Sequence, residues 1–405
     1  MQTRLADWIR DSEDGREADA ILRSCVHCGF CNATCPTYQL LGDELDGPRG
    51  RIYQIKEVLE GATATRATQQ HLDRCLTCGA CETTCPSGVR YGRLLEIGRE
   101  VVDDRVRRPP GERLVRALVR AVVSRRAVFA FIVALARRVR ACLPGAMRRK
   151  LPVRRPAGAA PVTAHARRVI LLTSCSQDAL LPAIDRATRR VLERLGVATI
   201  LAERAGCCGA LRAHLSDPEG ARAAARRNVE AWWPHVVGGV EALVMTASGC
   251  GLQVRDYGRL LAGEPEFAVR AAHIASLTRD LSEWLREHGR WPAAAAHEPV
   301  AVAFHAPCTL QHGQKLLGVV EPMLEALGAR LVPVGEAHLC CGSAGAYSLL
   351  QPTLSTALRD RKLAALVAGA PQVILSANVG CLAHLEGAST VPVRHWIEWL
   401  DERLA

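Results

Sequence analysis

Eight cysteines of this chain form two copies of one spacing that is suited to holding iron. The copies are Cys25-x2-Cys28-x2-Cys31-x3-Cys35-Pro36 and Cys75-x2-Cys78-x2-Cys81-x3-Cys85-Pro86. Three thiolates spaced by two residues can converge on one iron-sulfur cube, while the wider gap and the proline turn the fourth thiolate towards a second cube. The spacing therefore predicts two [4Fe-4S] clusters and, with them, the transfer of single electrons.

This spacing is typical of two-cluster bacterial ferredoxins, in which the ligand sets are crossed between the two runs. One cluster would then be held by Cys25, Cys28, Cys31 and Cys85, and the other by Cys75, Cys78, Cys81 and Cys35. A zinc site or chance could produce one CxxC pair, and a secreted protein could use many cysteines in disulfides. Neither explains two identical runs of four.

A second set of eight cysteines is also duplicated, in the later part of the chain. Its two copies are Cys175, Cys207, Cys208 and Cys250, then Cys308, Cys340, Cys341 and Cys381. Their first, second and fourth members lie 133, 133 and 131 residues apart, and glycine follows each adjacent pair to make a CCG motif. A repeat of this length predicts two related domains, since solenoid units have about 20 to 50 residues. Cys142 lies outside both patterns, and we expect a buried or half-buried thiol.

Strand and helix patterns alternate from residue 168 onwards, which predicts a parallel α/β sheet in each repeat. The first repeat has predicted strands at 168–173, 198–201 and 242–246 and helices at 182–195 and 217–237; the second has strands at 300–305, 330–334 and 373–376 and helices at 313–327 and 354–368. The duplicated cysteines follow these strands closely, where open α/β sheets place their sites, so the four thiols of each repeat should converge. Gly209 and Gly342 would let the backbone pass close to a bound group, although a plain turn from strand to helix would need glycine as well.

The first 105 residues show helical spacing around the cysteine runs, over 18–23, 50–60 and 91–106. The 39 residues between Cys35 and Cys75 favour an α-helical ferredoxin over a minimal βαβ one. Gly47-Pro48-Arg49-Gly50 is expected to start the middle helix. The predicted fold class is α+β multidomain: an N-terminal α-helical ferredoxin domain with two clusters (1–110), a basic helical segment with a Pro-rich linker (111–166), and two repeated α/β cysteine-rich (CCG) domains (167–295 and 296–405).

The net charge of +11 is concentrated in one segment, since residues 105–168 contain 18 Lys or Arg against one acidic residue, Glu112. The apolar run at 127–136 is too short to span a bilayer. A helix here could lie on an anionic membrane surface, dock on an acidic partner, or cover a core with its arginines in water. Nucleic acid is not an expected partner, because no recognition signature is evident and aromatic residues are few.

Residues 1–20 are charged throughout and lack the apolar centre of a signal peptide. We therefore expect a cytoplasmic protein whose thiols stay reduced and available as ligands. No GxGxxG motif follows a strand, and no P-loop or catalytic triad pattern is evident. Substrate chemistry is therefore expected to reside in another polypeptide.

The amino-acid sequence of the cysteine segments resembles that of the iron-sulfur subunits of bacterial glycolate oxidases. The resemblance is carried by CVHCGFCNATCPTYQLLGDELDGPRGRIYQIKEVLEG, HLDRCLTCGACETTCPSGVRYGRLLEIGR, AGCCGA, AWWP and ASGCG. It implies a non-catalytic electron-transfer subunit of a glycolate (2-hydroxyacid) oxidase complex, peripheral on the cytoplasmic face of the inner membrane. An FAD-binding flavoprotein subunit would oxidise glycolate to glyoxylate, and this chain would pass the electrons to a quinone or another acceptor. The same layout occurs in subunits for lactate and glycerol-3-phosphate and in thiol/disulfide oxidoreductases of the heterodisulfide reductase type, which are the alternatives.

The role of the duplicated CCG cysteines stays open at this point. In heterodisulfide reductase relatives a fifth cysteine completes a motif that holds a noncubane cluster, but Ala247 and Asn378 stand at the matching positions here. Each set of four could bind a further iron-sulfur cluster or zinc, could be structural beside a quinone or partner contact, or could act as a redox dithiol. His27 and His305 could tune a cluster or conduct protons, although such histidines are more often supporting or surface residues.

Overall fold

The computed structural model of the 405-residue chain describes residues 1–161, 163–291 and 298–405. Its N-terminal part is helical, as predicted, and contains no strand in residues 1–110. The helices are Asp7–Arg10, Glu13–Ser24, Phe30–Ala33, Pro36–Leu41, Pro48–Leu59, Arg66–Asp73, Ala80–Thr84 and Tyr91–Arg105, with a 3-10 turn at Glu44–Asp46. Leu22, Ile55, Leu59 and Leu94 form the centre of its apolar core.

The middle helix begins where the sequence predicts. Gly47 precedes it, and Pro48 occupies the first helical position, where the missing N–H of proline costs nothing. Gly50 lies so close to the preceding turn that a Cβ there would be 2.1 Å from the carbonyl oxygen of Glu44. The two glycines therefore let this helix start directly against the loop that follows the first cysteine run.

The basic segment forms two helices, Pro110–Val123 and Arg126–Arg138, followed by short turns at Arg140–Cys142 and Gly145–Arg149. The two helices are separated at Ser124, whose side chain is buried. Within the part of the chain that the structure covers, no helix combines the length and the apolar character needed to cross a bilayer. The prediction for Cys142 is wrong, because this thiol lies in a turn after the second helix and is exposed.

Each cysteine-rich repeat contains a four-stranded parallel sheet. The strands are β1 Arg167–Leu172, β2 Val197–Ile200, β3 Ala242–Met245 and β4 Thr278–Asp280, then β5 Val300–His305, β6 Ala329–Leu331, β7 Val373–Ser376 and β8 Val393–His395. Their orders, β2-β1-β3-β4 and β6-β5-β7-β8, are the same. The duplication read from the cysteines is therefore a duplication of the fold.

Helices cover both sheets. In the first repeat they are Gln177–Leu180, Ala183–Arg194, Ala210–His214, Pro218–Val237, Ser248–Arg255, Tyr257–Leu260, Ala268–Leu277 and Leu281–His288; in the second they are Glu321–Ala326, Tyr347–Leu350, Pro352–Val367, Val379–Glu386 and Trp396–Arg403, with a π-helical turn at Thr309–Gly313. The helix predicted at 313–327 is wrong over its first half. Lys315 and Gly318 have φ values of 58° and 72°, and left-handed residues of this kind interrupt a helix.

The two repeats pack against each other. Their apolar residues form one continuous core that includes Trp284 of the first repeat and Trp396 of the second. Polar contacts reinforce it, because Asp401 accepts from Arg190 and Arg194 at 2.6 and 2.7 Å. The carboxyl ends of β1 and β3 and of β5 and β7, which carry the cysteines, therefore lie on a shared scaffold.

Candidate iron-sulfur and cysteine-rich sites

The first cysteine group lines a small, partly open cavity. The four thiols of this group, Cys25, Cys28, Cys31 and Cys85, line the cavity together with Cys81 of the second run. Burial, followed by the nearby Cys25 and then Cys28 and Cys85, raises the pKa of Cys31 to about 11. The structure thus brings together the four residues of the first predicted ligand set.

The second cysteine group contains the remaining four of these thiols. Burial, and then the neighbouring Cys78, Cys75 and Cys35, raise the pKa of Cys81 well above its usual value. Cys75 accepts hydrogen bonds from the Tyr91 hydroxyl at 3.5 Å and from the Thr77 N–H at 3.4 Å. Cys35 is therefore grouped with the second run, and Cys85 with the first, in the crossed manner that the sequence predicts.

The two runs share one backbone conformation, which explains how closely spaced thiols face the same point. His27 and Gly29 in the first run have positive φ values of 58° and 86°, and Thr77 and Gly79 in the second run have values of 53° and 75°. Each glycine directly precedes a short helix. Two left-handed residues per run turn the chain around the thiols, and glycine accepts such a turn without strain.

His27 lies in the wall of the first cavity. Its Nδ1 is 3.1 Å from the Met1 sulfur, and burial followed by the charge of Arg49 lowers its pKa. The imidazole is thus neutral near pH 7. The structure places this predicted residue beside the first cysteine group.

A buried arginine lies beneath the second cysteine group. The Arg51 side chain is fully buried on the middle helix and forms an ion pair with the equally buried Asp46 at 3.4 Å. Its Nη2 also donates to Thr37 Oγ1 at 3.2 Å, and that oxygen is 3.3 Å from Cys35 Sγ. Burial lowers the pKa of Arg51, but the nearby Tyr91, Cys75, Cys35 and Asp46 outweigh this effect and raise the pKa. A fixed positive charge therefore faces this thiol group.

The four thiols of the first repeat converge after β1 and β3, as predicted from the strand ends. Hydrogen bonds from the Cys175 and Cys208 thiols lower the pKa of Cys207, and the Gly209 N–H contributes at 3.5 Å. Cys250 in turn is 3.6 Å from Ser174 Oγ. Gly209 has a φ of 92°, and this left-handed turn lets its N–H approach the sulfur.

The thiols of the second repeat form a continuous row. Cys308 Sγ lies 3.9 Å from Cys340 Sγ, and hydrogen bonds link Cys340 to Cys341 and Cys341 to Cys381. His305 is fully buried at the end of β5, with Nδ1 2.9 Å from Ser376 Oγ, and burial lowers its pKa to about 3. This row therefore includes a neutral imidazole.

The loop of the second cysteine run lies between the two repeats. Thr77 is 3.3 Å from His214 Nδ1 of the first repeat, and Thr83 is 3.1 Å from His312 Nδ1 of the second. Burial and the neighbouring Cys308 raise the pKa of Cys78, so thiols of the two domains are direct neighbours here. The second cysteine group is thus enclosed by the repeats.

Sequence reasoning missed the residues that support the thiols. Arg51 shares a helix face with Ile55 and Leu59, and an arginine on an apolar face was the available signal. The sequence contains no signal for Tyr347. Its hydroxyl donates to the Arg74 carbonyl oxygen at 3.1 Å, but 273 residues separate the two.

Comparisons with known proteins agree with this organisation. A family model described as a 4Fe-4S dicluster domain matches residues 21–89, and one described as a cysteine-rich domain matches residues 169–255 and 302–386. A solved structure of a hypothetical protein from Helicobacter pylori has a TM-score of 0.55 and 10% identity, over 96% of this chain and 72% of that one. At this identity the likeness is one of fold.

Curated relatives extend over the whole chain. The glycolate oxidase iron-sulfur subunit of Escherichia coli (strain K12) is 51% identical over 100% of this chain and 99% of its own. The probable glycolate oxidase iron-sulfur subunit of Bacillus subtilis is 29% identical over 93% of this chain and 91% of its own. Lactate utilization protein A of an Exiguobacterium strain is 26% identical over 58% of this chain and 97% of its own. This chain belongs to the family of glycolate oxidase iron-sulfur subunits.

Proposed function

We propose that this chain is the electron-transfer subunit of a glycolate oxidase complex. A flavoprotein subunit removes a hydride and a proton from glycolate to give glyoxylate, and the two electrons pass singly through this chain towards a quinone or another acceptor. The observation that carries the proposal is the 51% identity over the full length to an iron-sulfur subunit of that name. The 4Fe-4S dicluster domain supplies the matching chemistry.

We assign the ligands as two crossed sets. One is Cys25, Cys28, Cys31 and Cys85, and the other is Cys35, Cys75, Cys78 and Cys81. The donor sets fit [4Fe-4S] clusters because each offers four convergent thiols around a cavity or a buried thiol cluster. Each cluster, when bound, supplies a site that takes up and releases one electron. The Thr77 N–H and the Tyr91 hydroxyl stabilise negative charge on the Cys75 sulfur.

Electrons enter at the first cysteine group, because that group is the one open to a partner. Cys28 is exposed, and Val26 and Phe30 beside it are 69% and 62% exposed. Apolar side chains exposed together around a redox site favour a docking face for another protein. The second group, enclosed by the repeats, is the inner relay.

The docking face is tested with Phe30→Asp in the reconstituted complex. We expect a slower glycolate-dependent reduction of this chain, with unchanged signals from its clusters when dithionite is the reductant. Val269→Asp, at a valine of the first repeat that is 77% exposed, is the control and should leave both measurements unchanged. Normal glycolate-dependent reduction of the Phe30→Asp variant would place the entry point elsewhere.

The basic helices are assigned to an anionic membrane surface. Leu114, Leu118, Phe131 and Leu135 are at least half exposed on the two helices. Arg113, Arg125 and Arg138 are exposed around them. Apolar side chains that enter the interface, with arginines that meet lipid phosphates, are what a peripheral helix requires.

Sedimentation with vesicles tests this contact. The protein should bind vesicles containing phosphatidylglycerol, should not bind pure phosphatidylcholine, and should be released by salt. The double variant Leu118→Asp/Phe131→Asp should lose binding, while Val269→Asp should keep it. Failure of the unmodified protein to bind would exclude the membrane role of these helices.

The whole proposal is tested by reconstitution. The chain purified without oxygen should contain about eight iron and eight sulfide, and it should reduce a dye with glycolate only when the flavoprotein subunit is added. Cys85→Ser and Cys35→Ser should each disturb the signal of one cluster, and the two affected signals should differ. Cys142→Ser, at an exposed thiol outside both groups, is the control. Glycolate oxidation by the isolated chain would refute the proposal.

A further inference from the structure

Three buried donors of two kinds meet in the second cysteine-rich repeat. One ligand atom from each of His305, Cys341 and Cys381 lies within 4.8 Å of the others. His305 is the last residue of β5, Cys341 follows β6, and Cys381 lies in the helix after β7. Three adjacent strands therefore direct an imidazole and two thiols to one point.

Cys308 is the thiol that completes this arrangement. It interacts electrostatically with both Cys341 and Cys381, and it follows His305 by three residues. A set of three cysteines and one histidine is a common donor set of tetrahedral zinc sites. Such a site has Zn–S distances of about 2.3 Å, so its ligand atoms lie within about 4 Å of one another. The 4.8 Å spread of the His305, Cys341 and Cys381 ligand atoms is close to this limit, and Cys308 must turn towards them from its contact with Cys340 Sγ at 3.9 Å.

The first repeat lacks the imidazole. Its four cysteines match those of the second repeat, but Leu172 ends β1 where His305 ends β5. Among the residues that the structure describes, the groups able to hold a metal include the second repeat's donors and none of the first repeat's cysteines. The two repeats thus differ at the position that decides the donor set.

A cation distinguishes the second repeat as well. The Lys362 side chain is buried, with Nζ 2.7 Å from the carbonyl oxygen of Glu336, and it interacts with the charges of Cys341, Cys340 and Cys308. The corresponding helix of the first repeat carries the neutral Asn228, which donates to the Cys207 carbonyl oxygen. Three thiolates and one Zn²⁺ leave a net charge of −1, and the ammonium of Lys362 neutralises it.

Two further observations favour a single ion over a larger cluster. Asn378, which stands at the position of the fifth cluster cysteine, uses both side-chain polar atoms in hydrogen bonds within the protein. Its Oδ1 accepts from the Gly380 N–H at 2.9 Å, and its Nδ2 donates to Ser248 Oγ at 3.1 Å. The His305 ring is held by the hydrogen bond between Nδ1 and Ser376 Oγ at 2.9 Å. Metal-binding histidines are oriented in this way, through the ring nitrogen that does not face the metal.

We propose that the second repeat binds one zinc ion through His305, Cys308, Cys341 and Cys381, and that the first repeat does not. Neutral imidazole and thiolates are the ligands that zinc prefers. Because zinc undergoes no redox change, the role of the ion is structural: it holds together the segments that follow β5, β6 and β7. This site goes beyond the electron-transfer function and does not depend on the identity of the substrate.

Metal analysis of the full chain purified without oxygen tests the proposal. We expect about one zinc per chain beside the iron of the ferredoxin domain, and zinc X-ray absorption should show three sulfur ligands and one nitrogen ligand. His305→Leu, which copies the first repeat, should lose most of the zinc and keep the iron. His273→Leu, at an exposed histidine of the first repeat, is the control and should leave the zinc content at one.

The readouts separate misfolding from loss of the site. Cys381→Ser, which removes another proposed ligand, is the second variant. Retained cluster signals and an unchanged circular dichroism spectrum will show whether His305→Leu and Cys381→Ser are folded. Absence of zinc from the unmodified chain, about twelve iron per chain, four sulfur ligands on the zinc, or full zinc content in folded His305→Leu would each overturn the proposal. None of these measurements uses glycolate or a partner, so failure of the proposed function would not affect them.

Discussion

Replacing Arg51 with Met should make the inner [4Fe-4S] cluster harder to reduce. Arg51 is fully buried, and it is the positive charge that faces Cys35 through Thr37. Reduction adds one negative charge to the group of thiols above it. Loss of the guanidinium therefore destabilises the reduced state more than the oxidised state, and the midpoint potential falls.

The size of the shift follows from the geometry. Hydrogen bonds of 3.2 and 3.3 Å through Thr37 Oγ1 place Arg51 Nη2 within about 6.5 Å of Cys35 Sγ. At an effective dielectric constant of about 20, two unit charges at this distance interact by about 2.5 kcal/mol. For a single electron this energy corresponds to about 110 mV. Because 6.5 Å is an upper limit for the distance and rearrangement around the lost side chain reduces the effect, we expect a decrease on the order of 100 mV.

Redox titration followed by EPR measures both clusters in one sample. The potential of the inner cluster should shift in Arg51→Met, while the potential of the outer cluster, which we assign to the first cysteine group, should change much less. Arg51→Gln keeps a donor for the His71 carbonyl oxygen, which Arg51 Nε bonds at 2.7 Å, and it should show the same shift if the methionine variant loses its cluster. Lys56→Met removes a positive charge from the same helix, where Lys56 pairs with Glu60, and should change neither potential. Potentials within about 20 mV of the unmodified protein in the arginine variants would refute this reasoning.

Two further predictions concern stability. Gly342→Ala should lower the free energy of unfolding by about 3 kcal/mol, because Gly342 has a φ of 84° and a Cβ would lie 2.5 Å from the Ser355 carbonyl oxygen. Gly318 has a φ of 72° and open space around it, so Gly318→Ala should lower the free energy of unfolding by only about 1 kcal/mol in the same urea titration. Equal losses in the two variants would contradict the packing argument. Burial raises the pKa of Asp185 from 3.8 to about 7, so the folded state holds its proton longer than the unfolded state, and stability should decline between about pH 4 and pH 7 by up to about 1.4 kcal/mol per pH unit. Asp185→Asn should flatten this decline, and an unchanged pH profile of the urea midpoint would show that Asp185 does not cause it.

The sequence predicted the features that depend on local spacing. Local conformation is fixed directly by cysteines three residues apart, by Gly47-Pro48 at a helix start and by apolar runs such as residues 300–305. The structure contains the helix and the strand that these patterns predict. The convergence of thiols in each repeat was also predictable, since the carboxyl ends of parallel strands meet at one edge of a sheet.

The features that failed depend on tertiary structure. Strands β4 and β8 have three residues each, too few for a periodic signal, and only pairing with β3 and β7 makes them strands. The second basic helix packs on Gln177–Leu180, where Arg137 donates to two carbonyl oxygens, and no local pattern predicts this contact. His214 and His312 meet the cysteine loop from opposite repeats, and no local pattern reports such a meeting.

The enclosure of the second cysteine run has a consequence for biogenesis. Its loop is held between His214 and His312, and Cys78 is a neighbour of Cys308. Under the proposed ligation, iron and sulfide must reach this group before the ferredoxin domain closes on the repeats, and a cluster lost there is replaced only after the domains separate. The first group opens to solvent through Cys28, so its cluster is the first to be damaged by oxygen and the one that can be rebuilt in the finished protein.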